Sequence, residues 1–144
     1  GLKKQAPELK VLLSIGGWGS GRFSEMAADT LLRASFAAAC RRVVDLYNLD
    51  GIDIDWEYPT SKAAGISASP DDTRNFTKLM RDIRQAIGAD KLLTLATVHN
   101  GSYIDFHGIL PYIDFVNIMT YDMGNPPYLH SALYESRNSN GNTT

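Results

Sequence analysis

The run Asp50-Gly51-Ile52-Asp53-Ile54-Asp55-Trp56-Glu57-Tyr58-Pro59, residues 50–59 of 144, decides how this chain is read. In a β-strand alternate side chains share a face. Ile52, Ile54 and Trp56 then fall on one side, and Asp53, Asp55 and Glu57 on the other. Neighbouring acids in that row have Cα atoms about 6–7 Å apart. A strand inside a parallel sheet is covered on both faces and ought to be apolar throughout. Three carboxylates on one face break that rule. Like charges so close cannot all ionise cheaply, so at least one should hold a proton near neutral pH. A carboxylic acid that keeps its proton is what general acid catalysis needs. Other readings fit less well. An edge strand with a solvated face is disfavoured by the apolar partner face and by strand-like runs on both sides. An EF-hand calcium loop needs polar spacers and a glycine at its sixth position, and the spacers here are Ile and Trp. A structural ion-pair cluster needs a Lys or Arg, and the segment has none.

Working outward, three more short apolar runs lie at residues 11–18, 92–98 and 115–123, beside the one at 51–58. From Val11 to Gly51 and on to Leu92 the spacing is about 40 residues, and from Leu92 to Phe115 about 23. Such gaps are too long for hairpins and suit crossover helices, so the strands should be parallel. Asp29 or Thr30 can cap a first helix, in which Leu32, Phe36, Ala39, Cys40, Val43 and Tyr47 recur at helical spacing. A second helix begins at Ser69-Pro70-Asp71-Asp72, with Ser69 as cap, Pro70 in the first turn and two acids at the positive end of the dipole. Phe76, Leu79, Met80, Ile83 and Ile87 form its apolar stripe, and Gly88 ends it. Between residues 105 and 110 there is room for a helical turn or two before Pro111. The expected order is βαβαβ(α)β, an α/β chain with helices outside a parallel sheet. Residues 60–69 read as a loop at the C-terminal end of the second strand, the end that carries function in such folds.

Composition narrows the function classes. Hydrophobic residues make up 44% and charged residues 21%, which is globular and not disordered. Lys+Arg is 14 against 16 Asp+Glu, so the basic excess of a nucleic-acid protein is absent. No apolar run approaches the roughly 20 residues that span a bilayer. Cys40 is alone, which excludes an internal disulfide and a multi-cysteine zinc site. It sits on the apolar stripe and should be a small buried hydrophobe. Gly1 and the polar stretch Ser139-Asn140-Gly141-Asn142 read as cut ends, so a targeting segment can precede them.

Asp50 to Glu57 resembles the D-x-x-D-x-D-x-E signature of glycoside hydrolase family 18, the chitinase family. Ser14-Ile15-Gly16-Gly17-Trp18 resembles its S-x-G-G motif on the third barrel strand, and Met119-Thr120-Tyr121-Asp122-Met123 its M-x-Y-D motif on the sixth. The resemblance implies a TIM (β/α)8 barrel with the site at the C-terminal strand ends, and a typical barrel needs about 250 residues. The four strands resemble the third to sixth of eight, so residues 1–144 are expected to be part of a single catalytic domain.

The resemblance also implies roles. Glu57 is the general acid, and the nucleophile is the 2-acetamido carbonyl oxygen of the substrate itself. Asp55 orients the acetamido N–H and offsets the charge of an oxazolinium ion, while Asp53 shares a proton with Asp55. Tyr121 shares the parity of Asn117 and Met119, and its phenol can hold the acetamido carbonyl. Met119 and Asp122 stand near the sugar. Ser14 and Gly16 share one parity and leave room for the acid cluster, Ser14 can hydrogen-bond Asp53, and Gly17 belongs to the same supporting set. Trp18, among glycines, suits a sugar-stacking platform, and Tyr58 does so less strongly. Trp56 belongs to the core; Tyr47, Tyr103 and Tyr112 suit packing. Asp50 is structural. His99 can line the cleft, and His107 and His130 fall in loops. No metal and no cofactor are implied. The expected partner is chitin or an N-acetylglucosamine oligosaccharide, with no nucleic acid and no membrane. The intact enzyme is expected to be a secreted or surface monomer. A lectin on the same barrel would lack the acid at Glu57. An endo-β-N-acetylglucosaminidase would share the strand and differ in loops. A nucleotide site at Gly17-x-Gly19-x-Gly21 has its third glycine misplaced, and Trp18 would crowd a pyrophosphate.

Overall fold

The structure is a computed structural model and describes residues 2–138. Gly1 and the Ser139–Asn142 stretch lie outside the described residues. Four strands, β1 (Leu12–Gly16), β2 (Gly51–Asp55), β3 (Leu92–Val98) and β4 (Phe115–Met119), form one sheet in the order β1-β2-β3-β4. Every pairing is parallel. The alternating βα order is that of part of an α/β barrel. The helices are α1 (Leu2–Gln5), α2 (Phe23–Ala28), α3 (Thr30–Tyr47), α4 (Asp72–Ile87) and α5 (Phe106–Ile109), followed by a 3-10 turn at Leu110–Tyr112.

The core lies between the sheet and helices α2 to α4. Ile52, Ile54 and Trp56 leave β2 on that side, Leu93 and Leu95 leave β3, and Phe76, Leu79, Met80, Ile83 and Ile87 of α4 meet them. Each such side chain contributes about 1.5–3 kcal/mol when fully buried. The α4 stripe read from the sequence is therefore the buried one, and Gly88 ends the helix at a positive φ of 89°. Asp29 caps α3, its carboxylate accepting from Leu31 N and Leu32 N.

Several expectations need correction. The strands stop sooner than the apolar runs, so Gly17-Trp18, Trp56-Glu57-Tyr58 and Thr120-Tyr121-Asp122 lie beyond them. On α3, Leu32 and Tyr47 are exposed, and the buried line is Arg33, Ala37, Cys40 and Val44. Arg33 goes inside because it is fully engaged there: Nε donates to Asp82 at 2.9 Å and Nη1 to the carbonyl of Ala27 at 2.7 Å. That carbonyl closes α2, a helix the apolar pattern did not announce. Helix α4 starts at Asp72 and not at Pro70. Ser69 is not its cap; instead Ser69 N donates to the Asp72 carboxylate at 2.8 Å. Pro111 does not end the preceding turn but lies within the 3-10 turn. His107 sits in α5.

Candidate active site

The register of the sheet gathers the acids. Ser14 of β1 and Thr94 of β3 are both paired with Asp53 of β2, so all three point to the face away from the helices. Ser14 Oγ donates to Asp53 Oδ2 at 2.7 Å, Thr94 Oγ1 to Oδ1 at 2.6 Å, and Asn117 Nδ2 of β4 to Oδ1 at 3.0 Å. Each of the other three strands thus supplies one donor to a single buried carboxylate. Both Asp53 oxygens are taken by these neighbours. Asp55 differs. Its Oδ1 is buried with no hydrogen-bond partner among the described residues. Burial raises its carboxyl to about 6, and the negative charges of Glu57 and Asp53 push the same way. Asp55 thus holds a proton into the mildly acidic range.

Glu57 lies two residues past the end of β2, where ladder hydrogen bonds no longer fix it. It borders a cleft of about 210 Å³ with Tyr58, His99, Met119, Tyr121 and Asp122. The four polar side chains surround the same space as the carboxylate. Partial burial raises the Tyr121 hydroxyl, and the charges of Asp55, Glu57 and Asp122 add to that. Tyr58, joined to Glu57 by a cis peptide, has its hydroxyl raised by burial, by a hydrogen bond with Glu57 and by the acids nearby. Its ring stacks on Tyr103 with centroids 4.9 Å apart and planes 8° apart. Trp18 is 63% exposed and meets the Tyr58 ring edge-on at 6.3 Å. Trp56 is 2% exposed, stacked on Phe23 at 5.4 Å and edge-on to Phe76 at 5.6 Å. Its indole N–H has no partner.

Gly16 acts differently from expectation. A Cβ on Gly16 would lie 1.9 Å from the carbonyl oxygen of Asp55, and Gly16 has a φ of +134°. The space is needed by the backbone of β2, not by the acid side chains. That approach lets Gly17 N donate to Asp55 O at 2.8 Å, which seals the open end of the strand. Asp122 has a left-handed φ of 55° and is exposed, 3.3 Å from Nδ1 of His130. Asp50 lies at the far end of β2. It accepts from Val11 N at 2.7 Å and from Lys3, whose ammonium at 2.6 Å holds its carboxyl below the usual carboxylate range. Burial pushes the Cys40 thiol up to about 12, so it stays a neutral apolar group. Among the described residues no group of three His, Cys, Asp or Glu is placed to hold a metal, and no helix is long and apolar enough to cross a membrane.

Sequence reasoning missed Thr94 as a donor and used Asn117 only for its parity. Each is a polar residue in a mostly apolar strand, at the parity that faces the acids. Tyr103 and Asp72 carried no such signal.

The profile of glycosyl hydrolases family 18 matches residues 1–144. The chain belongs to that family. Among curated relatives, Chitinase A1 of Niallia circulans is 39% identical over 84% of this chain and 19% of its own length. Among solved structures, the chitinase domain of the spore coat protein CotE from Clostridium difficile superposes with a TM-score of 0.90 at 40% identity, over 96% of this chain and 43% of that one. A family 18 N-acetylglucosaminidase from Paenibacillus barengoltzii gives 0.88 at 41% identity, over 94% and 44%. The chain thus spans about a fifth of that curated relative and less than half of either solved chain.

Proposed function

We propose that residues 1–144 are part of a single family 18 catalytic domain that cleaves β-1,4 bonds between N-acetylglucosamine units with retention of configuration. The observation that carries this reading is Asp55: a buried carboxylate oxygen with no partner among the described residues, in a row with Asp53 and with Glu57, which borders the cleft. A buried acceptor left open costs stability unless a donor arrives. The acetamido N–H of the sugar is such a donor.

The reaction then runs as follows. Glu57 gives its proton to the glycosidic oxygen. The carbonyl oxygen of the 2-acetamido group bonds to C1 as the C1–O bond breaks, and the leaving sugar departs as an alcohol. The positive charge now lies on an oxazolinium ring. Asp55 offsets that charge, and the Tyr121 phenol holds the carbonyl in line. Water next attacks C1 and gives its proton to the Glu57 carboxylate. The ring opens, and two inversions leave the configuration retained. Asp53, anchored from three strands, is the neighbouring acid that shares a proton with Asp55. Trp18, Tyr58, Met119 and Asp122 bound the sugar. The substrate class, chitin or its oligomers, takes support from relatives named as chitinases, and a polymeric substrate places the enzyme outside the cell.

Hydrolysis of a fluorogenic N,N′-diacetylchitobioside tests this. Glu57→Gln is expected to cut release by about 10²–10⁴-fold with binding of chitin oligomers kept. Binding without release by the unsubstituted protein would point to a lectin, and release only from N-glycans to an endo-β-N-acetylglucosaminidase.

A further inference from the structure

Glu57 sits outside the sheet, so something other than the strand must fix it. Two ties do so. Trp56, before it, is held between Phe23 of α2 and Phe76 of α4. Thr60, after it, is held by Asp72. That residue opens α4 and is 0% exposed. Its Oδ2 accepts from Thr60 N at 3.1 Å and from Ser69 N at 2.8 Å, and its Oδ1 from Ser24 Oγ at 2.7 Å. No cation pairs with it among the described residues; three donors and the helix dipole hold the charge instead.

These three donors come from two separate segments of the chain. Thr60 and Ser69 are the two ends of the loop that follows Glu57-Tyr58-Pro59. Ser24 belongs to α2, which begins directly after the glycine-rich loop bearing Trp18. One carboxylate therefore fixes the acid-bearing segment and the Trp18 loop to the same helix end. Thr60 also carries a left-handed φ of 65°, a conformation a non-glycine residue keeps only when its surroundings hold it.

We propose that Asp72 is a positioning residue for glycoside cleavage, setting the place of Glu57 through the Thr60 backbone and registering it against the Trp18 loop. The inference rests on the hydrolase reading above. Displacement of a catalytic group by about 1 Å costs on the order of 100-fold in rate.

The test compares Asp72→Ala with Asp72→Asn on the fluorogenic chitobioside, per folded molecule, beside amide hydrogen exchange at Thr60 and Ser69. Asp72→Ala is expected to lower kcat by about 100-fold with KM within about threefold, and to speed exchange at both amides. Asp72→Asn is expected to recover most of kcat, because a carboxamide oxygen can accept from both amides while its NH2 donates to Ser24 Oγ. Unchanged kcat in folded Asp72→Ala would overturn the proposal. So would an Asn variant as impaired as the Ala variant, since charge and not the bond set would then matter. Should Asp72→Ala not fold, Ser24→Ala takes its place: about a tenfold loss in kcat supports the proposal and wild-type kcat overturns it. If the unsubstituted protein hydrolyses nothing, the hydrolase reading fails by itself; exchange unaltered in Asp72→Ala, or in Ser24→Ala where Asp72→Ala does not fold, would then sink the positioning role separately.

Discussion

The two faces of β2 are one residue apart and have opposite chemistry. Toward the helices, Ile52 and Ile54 are fully buried and Trp56 lies between two phenyl rings. Toward the open side stand Asp53 and Asp55, with Glu57 just beyond the strand. The difference teaches how a row of acids can survive in a folded sheet. The apolar face supplies the burial energy that fixes the strand, and the polar face is then free to hold groups whose proximity is unfavourable. Donors from three other strands offset part of that cost at Asp53. None offsets it at Asp55 Oδ1. Substitutions on the two faces should therefore separate stability from rate.

The largest effect belongs to Glu57. Beyond the loss of rate already set out, Glu57→Gln should leave the unfolding free energy within about 0.5 kcal/mol, since the side chain is only partly buried and the exchange keeps its size. A denaturant titration beside the rate assay checks both halves. Next comes Ile54→Ala on the other face. It opens a void among fully buried side chains and should cost about 2–5 kcal/mol in the same titration, with kcat per folded molecule little changed. If Glu57→Gln melted the protein, or Ile54→Ala abolished turnover in folded protein, the separation of the two faces would fail.

The sequence revealed this contrast because period-two alternation is visible wherever the residue types differ sharply. The same holds for the α4 stripe and for parallel pairing, which the spacing of the runs demanded. Legibility ended where partners are distant in sequence. Asp72 read as one of two acids favoured by a helix dipole, yet it is fully buried, on donors 48 and 12 residues before it. Arg33 stood outside the apolar pattern read for α3, yet the carbonyls ending α2 and the carboxylate of Asp82 draw it inside. Gly16 read as room for side chains, whereas the close approach is to the Asp55 backbone. A polar residue is buried when the fold brings it enough partners, and no local pattern records that.

Asp55 sharpens the comparison through pH. Its folded carboxyl titrates at about 6, above an ordinary carboxyl near 3.8, chiefly because of burial. The folded state therefore binds the proton more tightly than the unfolded chain. Between about pH 4 and pH 6 stability falls as pH rises, and above that range the cost is fully present. Asp55→Asn carries no charge and should melt higher than the unsubstituted protein at pH 8. The advantage should vanish below about pH 4. Turnover should drop as well, because the carboxylate that offsets the oxazolinium charge is gone. Thermal melts across pH check the first part, and a variant that gained nothing at pH 8 would show that Asp55 does not bear the cost assigned to it.

The smallest effect comes from comparing the two tryptophans. Trp56 is buried between rings and belongs to the stability face. Trp18 is largely exposed and touches Tyr58 only edge-on, on the side of the cleft. Removing its ring loses one aromatic contact, about 0.5–1.5 kcal/mol, and little burial. If its free face receives a sugar ring, the loss appears in binding instead. Trp18→Ala should raise KM for a chitin tetrasaccharide by roughly tenfold, which corresponds to about 1.4 kcal/mol. The disaccharide substrate should be less affected if the platform holds a sugar beyond the cleavage site. The rate at saturation should stay within about twofold, because an interaction made equally in ground and transition states changes KM and not kcat. A fall in kcat with KM unchanged would place Trp18 with the residues that fix Glu57, through the Tyr58 ring, and not with those that hold the substrate.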